Sequence, residues 1–125
     1  MLALALVACP KGEDCAGPPE QSGPWHLHSI DGAVFQEVAQ VEFGPDDQIK
    51  GQAPCNAFTA LLDAGLPEFV IGEMIVTDSI CDEIEAESRF LSALQDMDRM
   101  RMQGEDLVLS NDAGREMVFR LQDSR

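Results

Sequence analysis

The stretch Gly51-Gln-Ala-Pro-Cys55-Asn56-Ala-Phe58-Thr-Ala60 places a cysteine and an asparagine between two segments that have the character of β-strands. A second segment, Thr77-Asp-Ser-Ile-Cys81, carries another cysteine further along the chain. Apolar residues alternate with polar ones on both sides of the first stretch, which is typical of half-buried strands. We therefore expect a strand–loop–strand unit here, with the remaining chain packed against it.

Strands are predicted on both sides of this unit. Residues 40–43 and 48–51 flank a Gly-Pro-Asp-Asp turn and predict a hairpin, and residues 56–62 predict the next strand. Residues 68–77 form a long apolar, β-branched run, which predicts either a buried strand pair or one bent strand with Gly72 at the bend.

Folded structure is expected to begin at Trp25. Trp25 and Leu27 share one face of a predicted strand, and His26 and His28 share the other. Two imidazoles on one face raise the possibility of a metal site, but two solvated histidines opposite a buried apolar face explain the pattern better.

One helix is predicted over residues 82–97. Its apolar face carries Ala86, Phe90, Ala93, Leu94 and Met97. Acidic residues crowd its first turns, where the helix dipole stabilises them, and this structural reason is preferred to a cation site.

The period then falls to two, and residues 99–103, 107–109 and 117–121 predict a three-stranded meander. The fold class is therefore α+β. It consists mainly of an antiparallel sheet of about seven or eight strands, for which a barrel-like form is one outcome, with one helix packed against it.

The charge of the chain limits its partners. Its 125 residues include 23 acidic residues and 8 Lys and Arg, for a net charge of −15. Such a surface repels phosphates, so no nucleic acid is expected as a partner, and repulsion between copies favours a monomer. A basic partner or loosely held divalent cations would fit this charge, although no calcium-loop spacing occurs.

The N-terminus has the pattern of an export signal. Residues 1–9 form an apolar run too short to span a bilayer, and Leu6-Val7-Ala8-Cys9 resembles a bacterial lipobox. We expect Cys9 to be lipidated, although no Lys or Arg precedes the run, and a buried N-terminal strand is the alternative. Residues 10–24 are rich in Pro and Gly and predict a flexible tether. The protein is then expected on the periplasmic side of the bacterial cell envelope, in contact with the membrane only through this lipid.

Four cysteines are present, and export would place them where disulfides persist. Cys9 belongs to the signal and Cys15 to the tether, which leaves Cys55 and Cys81 as the pair within the folded part. Sequence alone leaves the connectivity open. A zinc site fits poorly, because no C-x-x-C motif is present and both histidines lie far from Cys55.

An ordered set of short motifs resembles the META domain, also called the HslJ-like family. The set is Trp25-x-Leu27-x-x-Ile30-x-Gly32, Gly51-x-x-x-Cys55-Asn56-x-Phe58, Ile71-Gly72-x-Met74-x-x-Thr77-x-x-x-Cys81 and Glu87-x-x-Phe90-Leu91-x-x-Leu94. The resemblance implies a domain over residues 25–125, and Pro54 and Ala60 stand where the family usually has Gly. It also implies an exported or lipid-anchored bacterial protein, in some members linked to stress, with no established enzymatic activity.

We therefore expect a non-enzymatic binding or stress-response module, with a protein or small-molecule partner in the envelope. The alternative is a small inhibitor or chaperone-like protein that acts on an exported enzyme through an edge strand or loop. Neither a Ser-His-Asp order nor a phosphate loop occurs, so no catalytic, cofactor or metal residue is assigned. For Asn56, a turn-stabilising role is preferred to a functional contact.

Overall fold

Alternating burial along the strand Trp25–Ile30 defines the two faces of the sheet. The computed structural model describes residues 14–16, 23–63 and 68–121. Within them, Trp25 and Leu27 are buried, whereas His26 and His28 on the opposite face are only partly buried. The apolar face therefore faces the core, as predicted.

The described strands form one antiparallel sheet that curls into a half-barrel, and one helix packs against it. Eight strands have four or more residues, and two are shorter. In chain order the elements are β1 (Asp14–Ala16), β2 (Trp25–Ile30), β3 (Ala33–Val34), β4 (Gln40–Phe43), β5 (Gln48–Gln52), β6 (Ala57–Leu62), β7 (Ile71–Val76), α1 (Ile84–Asp96), β8 (Arg99–Gln103), β9 (Asp106–Ser110) and β10 (Glu116–Leu121).

The order across the sheet is β1-β8-β9-β10-β2-β4-β5-β6-β7, and β3 pairs with β2. Pairing of β10 with β2 joins the C-terminal meander to the N-terminal strands. Curling brings the residues before β7 back to β8, where Glu68 bridges Arg99 and the Phe69 N–H donates to the Asp98 carbonyl at 3.1 Å. The expected α+β class and the expected number of strands are confirmed.

The short strand β1 lies within the segment predicted as a tether. Asp14–Ala16 pairs with the β8 residues from Arg101 to Gln103. The composition of residues 10–24 did not indicate this strand, because its partner, the edge of β8, lies far away in the sequence.

Residues 68–77 do not form a buried strand pair. They contain the single strand β7, which lies at the end of the strand order and exposes 68% of Ile75. Between the pairs Ala60↔Met74 and Leu62↔Ile71, β7 has one residue more than β6, so a bulge lies at Gly72–Glu73. The predicted bend at Gly72 therefore corresponds to this bulge. A Cβ added at Gly72 would collide with the carboxylate of Asp63.

Helix α1 fills the inner face of the sheet. Phe90, Ala93 and Leu94 are fully buried, and the Phe90 ring lies 5.9 Å from that of Phe58 and 6.3 Å from that of Phe35. Such offset aromatic pairs add to the stabilisation from buried area. None of the described helices has the length and apolar character needed to cross a membrane.

Asp31 joins the turn after β2 to the start of β10. Its Oδ1 accepts the Glu116 N–H at 3.0 Å, and its Oδ2 accepts Nε of Arg115 at 3.1 Å. Arg115 also contacts Asp96 at the end of α1, at 3.3 Å. The backbone N–H of Glu116 is the largest influence and lowers the pKa of Asp31, because it favours the charged form. Burial is the second influence and opposes it, and the hydrogen bond and charge of Arg115 lower the pKa further.

Replacement of Asp31 by Asn should change how stability depends on pH. A folded-state pKa below the unfolded value of about 3.9 gives stabilisation that is present above that pH and lost as pH falls through the folded value. The difference in unfolding free energy between wild type and Asp31→Asn should therefore be largest near neutral pH and shrink below about pH 4. Urea unfolding across this range measures it, and a difference independent of pH would contradict the assignment.

Candidate functional site

A buried carboxylate lies at the centre of the polar residues around the stretch from Gly51 to Ala60. Glu87 comes from the first turns of α1 and is only 4% exposed. Its Oε1 accepts the backbone N–H groups of Cys55 and Asn56, both at 2.7 Å, and its Oε2 accepts Nδ2 of Asn56 at 2.6 Å. The helix is thereby fixed to the loop between β5 and β6 by three charge-assisted hydrogen bonds.

Asn56 connects the same loop to the segment after β7. Its Oδ1 accepts the Thr77 hydroxyl at 2.7 Å and the Ser79 N–H at 2.6 Å, and its Nδ2 also donates to the Ser79 carbonyl at 2.9 Å. With the bond to Glu87, both donors and both acceptor positions of this amide are used. Asn56 therefore has the structural role expected of it, although it connects three separate segments instead of capping one turn.

Cys55 and Cys81 form the predicted disulfide, with their Cα atoms 5.7 Å apart. The bond joins the loop between β5 and β6 to the segment between β7 and α1, the same two segments that Asn56 connects through Thr77 and Ser79. Sγ of Cys81 lies 3.3 Å from a carboxylate oxygen of Glu83. The disulfide and the hydrogen bonds therefore hold one junction, which we call the Glu87 junction: Cys55, Asn56, Thr77, Ser79, Cys81 and Glu87.

The remaining motif residues serve the core. Gly51 lies opposite Phe58, and an added Cβ would lie 2.6 Å from the Phe58 ring and collide with the Gln40 carbonyl. Trp25 is buried two strands away, where it pairs with Val41. The structure thus divides the motif into a core group and the Glu87 junction.

The helix dipole, the predicted reason for the acidic residues in the first helical turns, is only part of the explanation for Glu87, which is also buried and hydrogen-bonded to a distant loop. The signal for this burial was its position: Glu87, Phe90 and Leu94 have the i, i+3, i+7 spacing of one helix face. An acidic residue on an apolar face requires a buried partner, and here the partners are backbone N–H groups and an amide.

Of the two histidines of β2, His28 lies beside an arginine. Nη1 of Arg120 lies 3.5 Å from Nδ1 of His28. Within residues 14–16, 23–63 and 68–121, no group of three His, Cys, Asp or Glu side chains is placed to hold a metal ion. The predicted lipidation site, Cys9, lies outside the described residues.

A second candidate site lies on the outer face of β5, β6 and β7. A hollow of about 420 Å³ opens there, and its lining includes Lys50, Thr59, Leu61, Glu73 and Ile75. Lys50 pairs with Thr59 and Thr59 with Ile75, so these three side chains lie side by side across the strands. Leu61 is 49% exposed and Ile75 is 68% exposed. This hollow offers apolar surface and a few polar groups, but no arrangement typical of catalysis.

Comparison with known proteins places the fold in a family. A model of the META domain matches residues 19–124. The chain belongs to the META domain family. A protein of known NMR structure has a similar fold, with a TM-score of 0.62 and 18% identity over 81% of this chain and 90% of that one. No curated protein matches the chain significantly.

In this META domain, the Glu87 junction should contribute strongly to stability. In Glu87→Gln, one carboxylate oxygen becomes an NH₂ group, which places a donor against the N–H donors of the loop. We expect a loss of about 2–4 kcal/mol in unfolding free energy. Urea unfolding measures it, and Glu85→Gln, an exposed acid in the same helical turn, is the matched control with an expected change below about 0.5 kcal/mol. Equal effects of the two variants would rule out the assigned role.

Removal of the disulfide should lower the free energy of unfolding of the META domain but leave the hydrogen bonds of the Glu87 junction in place. In the double variant Cys55→Ser, Cys81→Ser, no cross-link restricts the unfolded chain. The stabilisation lost, which depends on the length of the closed loop, is roughly 3.5 kcal/mol. The denaturant midpoint of this variant should fall to that of reduced wild type. Mass measurement with and without reductant tests the bond itself, and free thiols at both positions in oxidised protein would contradict it.

Proposed function

We propose that this META domain is a non-enzymatic binding module, anchored on the periplasmic side of the bacterial cell envelope by a lipid on Cys9, where it takes part in the response to stress. The observation that supports binding most directly is the exposed apolar surface of Leu61 and Ile75 beside the hollow on β5, β6 and β7. Large apolar side chains grouped on an outer sheet face are typical of interaction surfaces.

The chemistry of the Glu87 junction supports a structural role for the family motif. The side chain of Asn56 uses all its hydrogen-bonding positions within the domain, and Glu87 is buried. Neither residue is placed to contact a substrate. Interaction with a partner is therefore assigned to the outer surface, and the junction serves to hold that surface in shape.

The alternative is a small inhibitor or chaperone-like protein acting on an exported enzyme. The position of β7 favours it, because in the described part of the chain this strand pairs only with β6. Open sheet edges accept extended segments of other proteins.

The partner can be sought by photo-crosslinking. A crosslinking amino acid at Ile75, in the full-length chain expressed with its N-terminus, should capture a discrete envelope protein, whereas the same group at the exposed Gln103 should not. Capture of a protease or other hydrolase would favour the inhibitor. Identical products from both positions, or none from either, would contradict a binding surface on this face.

Anchoring has its own test. Cys9→Ser should abolish incorporation of labelled fatty acid and move the protein from the membrane fraction to the aqueous fraction, because acyl chains on the cysteine supply the membrane affinity. Cys15→Ser is the matched control and should leave both properties unchanged. Incorporation of label into Cys9→Ser would contradict lipidation at this residue.

A further inference from the structure

In the described part of the chain, the outer edge of β7 is unpaired from Ile71 to Val76, although Glu68 and Phe69 just before it pair with β8. The inward residues of β6, which are Phe58, Ala60 and Leu62, are all buried. The inward residues of β7, which are Ile71, Met74 and Val76, are only partly buried. One more strand beside β7 would cover them and would pair with its outer backbone groups.

Charge is distributed unevenly across the molecule. Arg99, Arg101, Arg115 and Arg120, at the β8–β10 side of the sheet, are each paired with a carboxylate. Of the described basic residues, Lys50 alone belongs to the strands from β4 to β7. Four of the five described arginines therefore balance carboxylates at the β8–β10 side, whereas the strands from β4 to β7 and the loops between them carry several acidic residues and one described Lys or Arg.

Acidic side chains without a cationic partner surround β7. Within the described part of the chain, Glu68, Glu73 and Asp78 form no ion pair, and all three residues are exposed. Glu73 lies on the same outer face as Ile75. A strand added to β7 would thus meet carboxylates and an apolar side chain together.

We propose that the outer edge of β7 binds an extended, cationic segment of a partner protein, which adds to the sheet as an antiparallel or parallel strand. This proposal rests on the proposed function as a binding module and identifies the chemistry of the partner. Basic side chains of the segment would face Glu73 and Asp78, and apolar ones would cover Ile75 or the half-buried inner residues. A second copy of this chain is a poor occupant, because two chains of charge −15 repel each other.

The bulge at Gly72–Glu73 limits the length of this strand. Regular pairing with β6 runs from Phe58↔Val76 to Ala60↔Met74, so the uninterrupted part of the edge is short. Bulges and short edges are devices that prevent indiscriminate pairing of sheets. Backbone pairing alone is therefore weak here, and charge attraction has to supply much of the affinity and specificity.

A designed peptide provides the test. The probe is an extended peptide about ten residues long in which valine and lysine alternate. Two controls have the same length: one alternates valine and glutamate, and the other has prolines at alternate positions between the lysines, which keeps the charge but removes every second N–H donor and disfavours an added strand. Binding to isotope-labelled protein is followed by NMR, together with amide hydrogen exchange.

The lysine peptide should shift the amide signals from Ile71 to Thr77 and protect outward amides of β7 from exchange, and neither control should do so. Glu73→Lys should weaken binding about tenfold, because it replaces an attraction by a repulsion. Glu105→Lys makes the same charge change in the turn between β8 and β9 and should weaken it far less. Equal weakening by both variants, equal binding of the proline peptide, or no binding of the lysine peptide would overturn the proposal.

The same variants separate this inference from the proposed function. If crosslinking from Ile75 captures a partner equally well in wild type and in Glu73→Lys, the binding module stands and the cationic edge segment is wrong. If crosslinking captures nothing while the lysine peptide still binds β7, the edge has the proposed chemistry and the proposed function fails.

Discussion

The hydrogen bonds of the Glu87 carboxylate set the position of the helix on the sheet. This carboxylate is buried, and it accepts two backbone N–H groups and one amide N–H from the loop between β5 and β6. A helix that packs only through Phe90 and Leu94 could slide over the apolar face of the sheet. Hydrogen bonds of defined geometry fix its position, because a buried carboxylate that loses its partners carries a large energetic cost.

The residues that identify the family are therefore not the residues expected to bind a partner. The motif residues that identify the META domain family are used internally: Asn56 and Cys81 hold the junction, and Gly51 allows Phe58 to pack. The surface that is left for a partner, around Ile75 and Glu73, lies outside the cysteine–asparagine motif. The motif residues thus stabilise the fold. Recognition of a partner is expected from surface residues outside the motif, which form no catalytic pattern.

Periodicity predicted the fold correctly for elements that have one solvent-exposed face and one buried face. It placed Trp25 and Leu27 in the core, the apolar face of α1 on the sheet, and the three C-terminal strands in a meander. For residues 68–77 it left two alternatives open, because an apolar run does not distinguish a buried strand pair from one bent strand at an edge, and the bent strand is correct. It did not indicate the pairing of Asp14–Ala16 with β8 or the buried partners of Glu87, since neither a local composition nor a pattern of charges reveals a partner from a distant segment.

Local spacing and composition were sufficient to predict the α+β class, the helix over residues 82–97, the family and the residues able to form the disulfide, because these properties depend on residues close together in the chain. Contacts that only the folded chain forms place β7 at the end of the strand order, bring Glu87 to Cys55 and Asn56, and pair four of the five described arginines with carboxylates at the β8–β10 side. Those features depend on contacts between residues far apart in the chain, whose register is set by the packing of the whole sheet.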